Sequence, residues 1–290
     1  MSQIMNIDKN RKRQNYTFAN INLLGKCNLD CYFCLGKDLK YELKGKNQLR
    51  THFKKWKNFH KFIEYCKQHG IEKLYLTGQT ADALQYKYIP ELRYFLEEKN
   101  GFTLGIRSNG LLAIDKQYVV KEMKGEIGYT IQSLWKDTFN QITGNSANPD
   151  WTHILNNSGS NLRVSIVINR FNYKEIDAII KYLSCFKDIK YIQLRRVSTD
   201  RRIDELAEDM ELFEVYYNKT KREYPVKDRF NLAEIFEIHG KDVVFWRTVQ
   251  TDVNSLNYFT DGTISDEYFI VEGYLKNSTP KPLNHEPLNC

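Results

Sequence analysis

Three cysteines fall within eight residues, in the run Cys27-Asn28-Leu29-Asp30-Cys31-Tyr32-Phe33-Cys34. Three thiolates on one tight loop can hold three irons of a cubane cluster and leave the fourth iron without a protein ligand. A corner left open in this way can take an external molecule, which a four-cysteine electron-transfer cluster cannot do. Two other readings use the same residues. A Cys3His zinc site could add a histidine such as His52, although zinc sites more often show paired C-x2-C ligands and no second pair exists. The three could also be unrelated core cysteines. Cys66 lies on the apolar face of a helical segment and reads as packing, as does Cys185, while Cys290 is terminal.

Whatever the loop binds must be positioned by the elements around it. The chain has 290 residues, 41% of them hydrophobic, enough for one barrel-sized domain with an extension. Short apolar runs alternate with amphipathic segments. Strands are predicted at Ile21–Leu24, Leu74–Leu76, Phe102–Ile106, Ile127–Ile131, Arg163–Ile168 and Tyr191–Leu194. Helices are predicted over Phe53–Gln68, Ile89–Lys99, Lys116–Met123, Asp150–Asn156 and Tyr173–Phe186. Six strand-then-helix units imply a parallel sheet with right-handed crossovers. The strands read as apolar without strict alternation, as expected when both faces are covered. The expected fold is α/β: a partial (β/α)6 TIM-like barrel with a small α+β C-terminal extension. The expected divisions are a basic segment at 1–16, the barrel at 17–200, and an extension at 201–290 capping it. In that extension, Asp204–Tyr217 reads as a helix, Val243–Trp246 and Leu256–Phe259 as strands, and Thr260-Asp261-Gly262-Thr263 as a hairpin turn.

In β/α barrels the chemistry gathers at the carboxyl ends of the strands. The cysteine loop follows the first predicted strand. Thr77-Gly78-Gln79-Thr80 follows the second, with Asp82 just beyond. Arg107-Ser108-Asn109-Gly110 follows the third, Gln132 and Ser133 the fourth, Asn169 and Arg170 the fifth, and Arg195 and Arg196 the sixth. A lone polar residue after a strand is usually solvated surface. A set at every strand end is a candidate binding rim.

The C-x3-C-x2-C spacing resembles the signature of the radical S-adenosylmethionine (SAM) superfamily, and the resemblance spans about residues 17 to 200. It implies a [4Fe–4S] cluster on Cys27, Cys31 and Cys34, with SAM as the molecule on the open iron. It implies that Phe33 lies by the SAM adenine. Gly78-Gln79-Thr80 stands where the family usually has Gly-Gly-Glu, the binder of the SAM amino group. Thr77, Gly78, Gln79 and Thr80 are therefore candidate cofactor residues, with Asp82 a candidate for the missing charge. Ser108 and Asn109 resemble the family's Thr-Asn-Gly turn, and Gln132 and Ser133 stand where a ribose-binding residue is often found. Ile142-Thr143-Gly144 resembles the loop after the fourth strand. Asn169 and Arg170 lie in a short run resembling viperin-type enzymes. Arg170 and Arg195 are candidates to hold the SAM carboxylate. The implied activity is reductive cleavage of SAM to a 5′-deoxyadenosyl radical that abstracts hydrogen from a substrate. The absence of a cysteine-rich tail predicts a single cluster.

The net charge is +7. Lys37, Lys40, Lys44, Lys46, Arg50, Lys54, Lys55 and Lys57 follow the cysteine loop, with only Asp38 and Glu42 against them. The plain reading is a solvated face. The functional reading is a dock for an acidic reductant, a flavodoxin or ferredoxin. A small molecule, nucleotide or peptide is the expected substrate. No stretch is apolar enough to span a membrane and the first residues lack a secretory pattern, so a cytoplasmic protein is expected. The alternative from another class is a non-catalytic iron–sulfur or nucleic-acid-binding module on a degenerate version of the fold.

Overall fold

A computed structural model describes residues 16–78, 80–199, 201–230, 232–247 and 254–266. Gln79, Cys290 and residues 1–15 of the basic segment lie outside the described residues.

Six parallel strands form the centre of one sheet in sequence order: β1 (Phe18–Leu23), β2 (Lys73–Gly78), β3 (Thr103–Ser108), β4 (Ile127–Thr130), β5 (Leu162–Val167) and β6 (Ile189–Arg195). The helices between them are α1 (Phe59–Gln68), α2 (Ile89–Glu97), α3 (Gln117–Val120), α4 (Lys136–Thr143), α5 (Trp151–Asn157) and α6 (Ile176–Ser184). The sheet does not close, which makes the fold a partial barrel. The helix predicted from Phe53 begins at Phe59, because Asn58 takes a left-handed conformation (φ 58) at its N-cap. Phe53–Lys55 is instead a short 3-10 turn. Helix α4 was not foreseen as a helix; its C-cap, Gly144, is left-handed (φ 65).

The residues after 200 join the same sheet at both edges. Helix α7 (Ala207–Glu223) leads to β7 (Val226–Phe230), β8 (Ala233–Ile238) and β9 (Lys241–Trp246). β9 pairs parallel with β6, while β8 and β7 follow antiparallel outside it. At the other edge β10 (Ser255–Phe259) pairs parallel with β1, and β11 (Ile264–Ser265) turns back on β10 through the foreseen hairpin. Eight parallel strands therefore stand in a row. The strand β7 escaped the sequence because Lys227, Asp228 and Arg229 break any apolar run, and β8 because Glu234 and Glu237 interrupt its apolar residues.

The strands do alternate. Ala19, Ile21 and Leu23, Leu74 and Leu76, and Val164 and Ile166 face the helices in one continuous core with Phe59 and Phe62 of α1. The intervening positions are polar: Asn20 and Asn22 on β1, Arg107 on β3, Ser165 on β5, Gln193 on β6. The expectation of two apolar faces fails because helices cover only one face and the other looks into the barrel.

Phe245 of β9 is fully buried, with ring contacts to Phe213 (5.7 Å), Tyr217 (5.3 Å) and Phe236 (5.4 Å). We expect Phe245→Ala to cost about 3–5 kcal/mol of stability. Urea unfolding followed by circular dichroism and by tryptophan fluorescence should give one shared transition. Two separated transitions would show that the strands after 200 fold apart from the barrel.

Candidate active site

The cysteine loop leaves the carboxyl end of β1 and is pinned from two sides. From the α4 side, Asp30 and Tyr32 donate backbone N–H groups to the carbonyls of Thr143 (2.9 Å) and Ile142 (3.1 Å), and Asn145 donates to the Asn28 carbonyl. The resemblance at Ile142-Thr143-Gly144 thus falls on the segment that cradles the loop. From beyond β6, Arg202 donates to the carbonyls of Tyr32 (2.7 Å) and Cys34 (2.8 Å). Its Nε reaches Asp38 at 2.7 Å, and the Asp38 carboxylate also accepts from Thr199 at 2.7 Å. Asp38 and Arg202 were not foreseen as site residues. The one signal was that Asp38 is one of only two acids, with Glu42, among eight basic residues.

All three loop cysteines are free thiols. Burial pushes the Cys27 thiol up from 9.0 to about 12. Burial likewise raises Cys31 and Cys34, and the neighbouring loop thiols add repulsion at Cys31. Two N–H groups point at the Cys27 sulfur, from Leu29 (3.5 Å) and the Asn109 side chain (3.7 Å). Phe33 packs with Ile142, Val197 and Leu206 in a small apolar cluster. His52 is turned elsewhere: its ring accepts from the Lys54 N–H and stacks on Phe53.

At the end of β2, Gly78 is required by packing, since a Cβ there would lie 1.7 Å from the Ala81 carbonyl oxygen. Thr77 and Thr80 are half-buried beside it. Asp82 is buried and caps the short 3-10 helix Ala83–Gln85 through the Leu84 N–H (2.9 Å). It also accepts from Ser108 Oγ (3.0 Å) and the Asn109 N–H (2.7 Å), so it ties the β2 turn to the β3 turn. Burial raises its pKa, and the three donors offset that rise only in part.

Several candidates at the later strand ends are engaged within the protein. Ser133 donates to Glu175 at 2.6 Å and accepts from the Trp135 N–H. Asn169 closes a turn by accepting from Phe171 and Asn172. Arg170 forks onto the buried Asp209 of α7, with NH2 to Oδ2 at 2.7 Å, and also reaches the Glu205 carbonyl. Tyr32 shares that carboxylate at 2.7 Å, so Asp209 binds the cysteine loop, the β5 end and α7 together. Arg195 ends β6 beside Trp246. Gln132 differs: it is buried, and its Oε1 has no hydrogen-bond partner among the described residues. The Asn28 amide nitrogen is in the same state.

Beside this rim a cleft of about 280 Å³ is lined by Tyr32, Gln141, Arg170, Phe171 and Glu205. The chain is similar to SuiB of Streptococcus suis, with TM-score 0.61 at 12% identity over 92% of this chain and 63% of SuiB. With SuiB bound to S-adenosylmethionine the TM-score is 0.58 at 12% identity, over 86% and 60% of the two chains. This chain has the fold of SuiB, an open α/β barrel around a mostly parallel sheet. The likeness extends to SuiB bound to its precursor peptide SuiA, with TM-score 0.56 at 11% identity over 92% and 62%. The chain thus spans about 60% of the length of the SuiB chains it matches. No family model and no curated protein sequence matches it.

In the metal-free protein the raised Cys27 pKa should show as chemistry. The folded state keeps a proton that the unfolded chain releases near pH 9, so the stability it contributes is present below pH 9 and is lost as pH rises towards 12. At pH 8, Cys27 should alkylate with iodoacetamide at least about a hundredfold more slowly in the folded than in the urea-unfolded protein. Equal rates, read by peptide mass mapping, would contradict the burial of this thiol.

Proposed function

We propose that the chain is a radical SAM enzyme that binds a [4Fe–4S] cluster on Cys27, Cys31 and Cys34. The observation that carries this is the donor set at the carboxyl end of β1: three thiols on one doubly pinned loop. Among the described residues no three Cys, His, Asp or Glu side chains converge on a single metal ion. Sulfurs sharing one zinc would have to crowd within about 4 Å of each other. Three separate corners of a cubane need no such convergence, and His52 is already occupied. The donor set therefore fits the cluster better than zinc.

Cluster and SAM together would supply, on one-electron reduction, a 5′-deoxyadenosyl radical able to take hydrogen from a substrate. The chain's part is to bind, orient and shield. Loading the three buried thiols releases protons, and the two N–H donors at Cys27, from Leu29 and Asn109, stabilise the thiolate left behind. The unpaired Gln132 Oε1 and Asn28 Nδ2 are suited to SAM's polar edge, one as acceptor and one as donor. Thr77 and Thr80, with the uncharged Gln79, stand where the family's Glu would meet the SAM ammonium. In our reading Asp82, Ser133, Asn169 and Arg170 act by holding the rim in shape, because their polar atoms are spent on it. Phe33 fixes the loop against the far wall. The substrate is a peptide or a nucleotide; the SuiA complex of the similar SuiB favours a peptide.

Anaerobic reconstitution with iron and sulfide, followed by SAM and dithionite, should yield 5′-deoxyadenosine, and Cys31→Ala should abolish it. A colourless protein holding about one zinc per chain would sink the proposal.

The reductant is an acidic flavodoxin or ferredoxin. Asp38 and Glu42 are taken by Arg202 and Arg201, so they do not neutralise the lysines around them. Lys40, Lys44 and Lys54 are exposed and pair with no carboxylate among the described residues. Reversing these three charges to Glu should slow flavodoxin-driven turnover at least tenfold at low salt and leave dithionite-driven turnover intact. Equal flavodoxin-driven rates would rule out this dock.

A further inference from the structure

The turn after β3 reaches across the rim to the cysteine loop. The Asn109 amide nitrogen lies 3.7 Å from Cys27 Sγ and 2.8 Å from Asn28 Oδ1. Its orientation is fixed from every side. Asn109 Oδ1 accepts the Leu111 N–H at 3.0 Å, which turns the NH2 group, not the oxygen, towards the sulfur. The Asn109 backbone N–H is held by Asp82 at 2.7 Å, and the Ser108 hydroxyl bridges Asp82 to the Gly110 N–H, 3.0 Å each way. Gly110 is left-handed (φ 80) and lies under Trp151, where a Cβ would come within 2.3 Å of the indole. Neither Cys31 nor Cys34 receives a side-chain N–H among the described residues, so the donor singles out one sulfur of the three.

An N–H aimed at an iron-bound thiolate withdraws electron density from it and stabilises the more negative, reduced cluster. We infer that Asn109 sets the reduction potential of the cluster through Cys27, and that Asp82 is the positioning residue that aims it. The inference rests on the cluster proposed above. It also gives the variant β2 turn a role, since the carboxylate of Asp82 orders the turn beside it.

The test is a redox titration monitored by electron paramagnetic resonance on the reconstituted full chain. Asn109→Ala should move the midpoint to a more negative potential, because the donor is gone. Asn109→Asp keeps the shape, puts a carboxylate at the sulfur, and should move it further the same way. Matching thermal unfolding of the variants separates this effect from loss of fold, which would not shift a midpoint in that order. Unchanged midpoints in both variants overturn the inference. If both variants fail to take up iron, wild-type protein labelled with side-chain ¹⁵N asparagine decides: nitrogen coupling to the reduced cluster supports the inference, and its absence overturns it. A wild type that cleaves SAM while the variants keep its midpoint overturns this inference alone. A wild type that takes up no cluster overturns the functional proposal, and this inference with it.

Discussion

A buried ion pair, Asp38 with Arg202, is what the site rests on. The Asp38 side chain is fully buried and Arg202 nearly so, and the guanidinium spends its other donors on the carbonyls of Tyr32 and Cys34. One side chain thus compensates a buried charge and caps the backbone of the cysteine loop. Removing Arg202 strands the Asp38 charge away from water, a loss of order 3–5 kcal/mol. The pair also spans the barrel mouth, since Asp38 follows β1 and Arg202 follows β6. With Asp209 holding Tyr32 to Arg170, the loop after β1 is tied to the ends of both β5 and β6.

The place of the cysteine loop after β1 and the βα order were legible in the sequence because each has a local signature. Three cysteines at fixed spacing need no partner elsewhere, and six strand–helix alternations read from periodicity alone. The hairpin at Thr260–Thr263 was legible for the same reason. What stayed hidden depends on distant parts of the chain. Arg202 and Asp38 are 164 residues apart, and nothing local marks either as an anchor. Arg170 looked like a free cation at a strand end, because its partner Asp209 comes from a helix 39 residues on. β9 and β10 were read as strands, yet their places on opposite flanks of the six central strands follow from pairing that no window of sequence contains.

The polar residues at the strand ends form a hierarchy. Those with every polar atom matched, such as Asp82 and Asn169, shape the rim. Those with an unmatched buried atom among the described residues, Gln132, Asn28 and Arg196, are the ones whose burial has yet to be compensated. Sequence position gives both groups the same standing, and only the hydrogen-bond inventory separates them.

The sheet's outermost strand, β7, carries one further consequence. Past Val226 its residues are exposed, and Lys227 and Arg229 bridge inward to Glu237, Asp242 and Glu234. A flat, apolar border would invite the border of another molecule to zip onto it. A row of tethered charges instead makes each approaching backbone strip solvated ions first. The eight-strand parallel array can therefore remain open at its flank without becoming a seed for assembly.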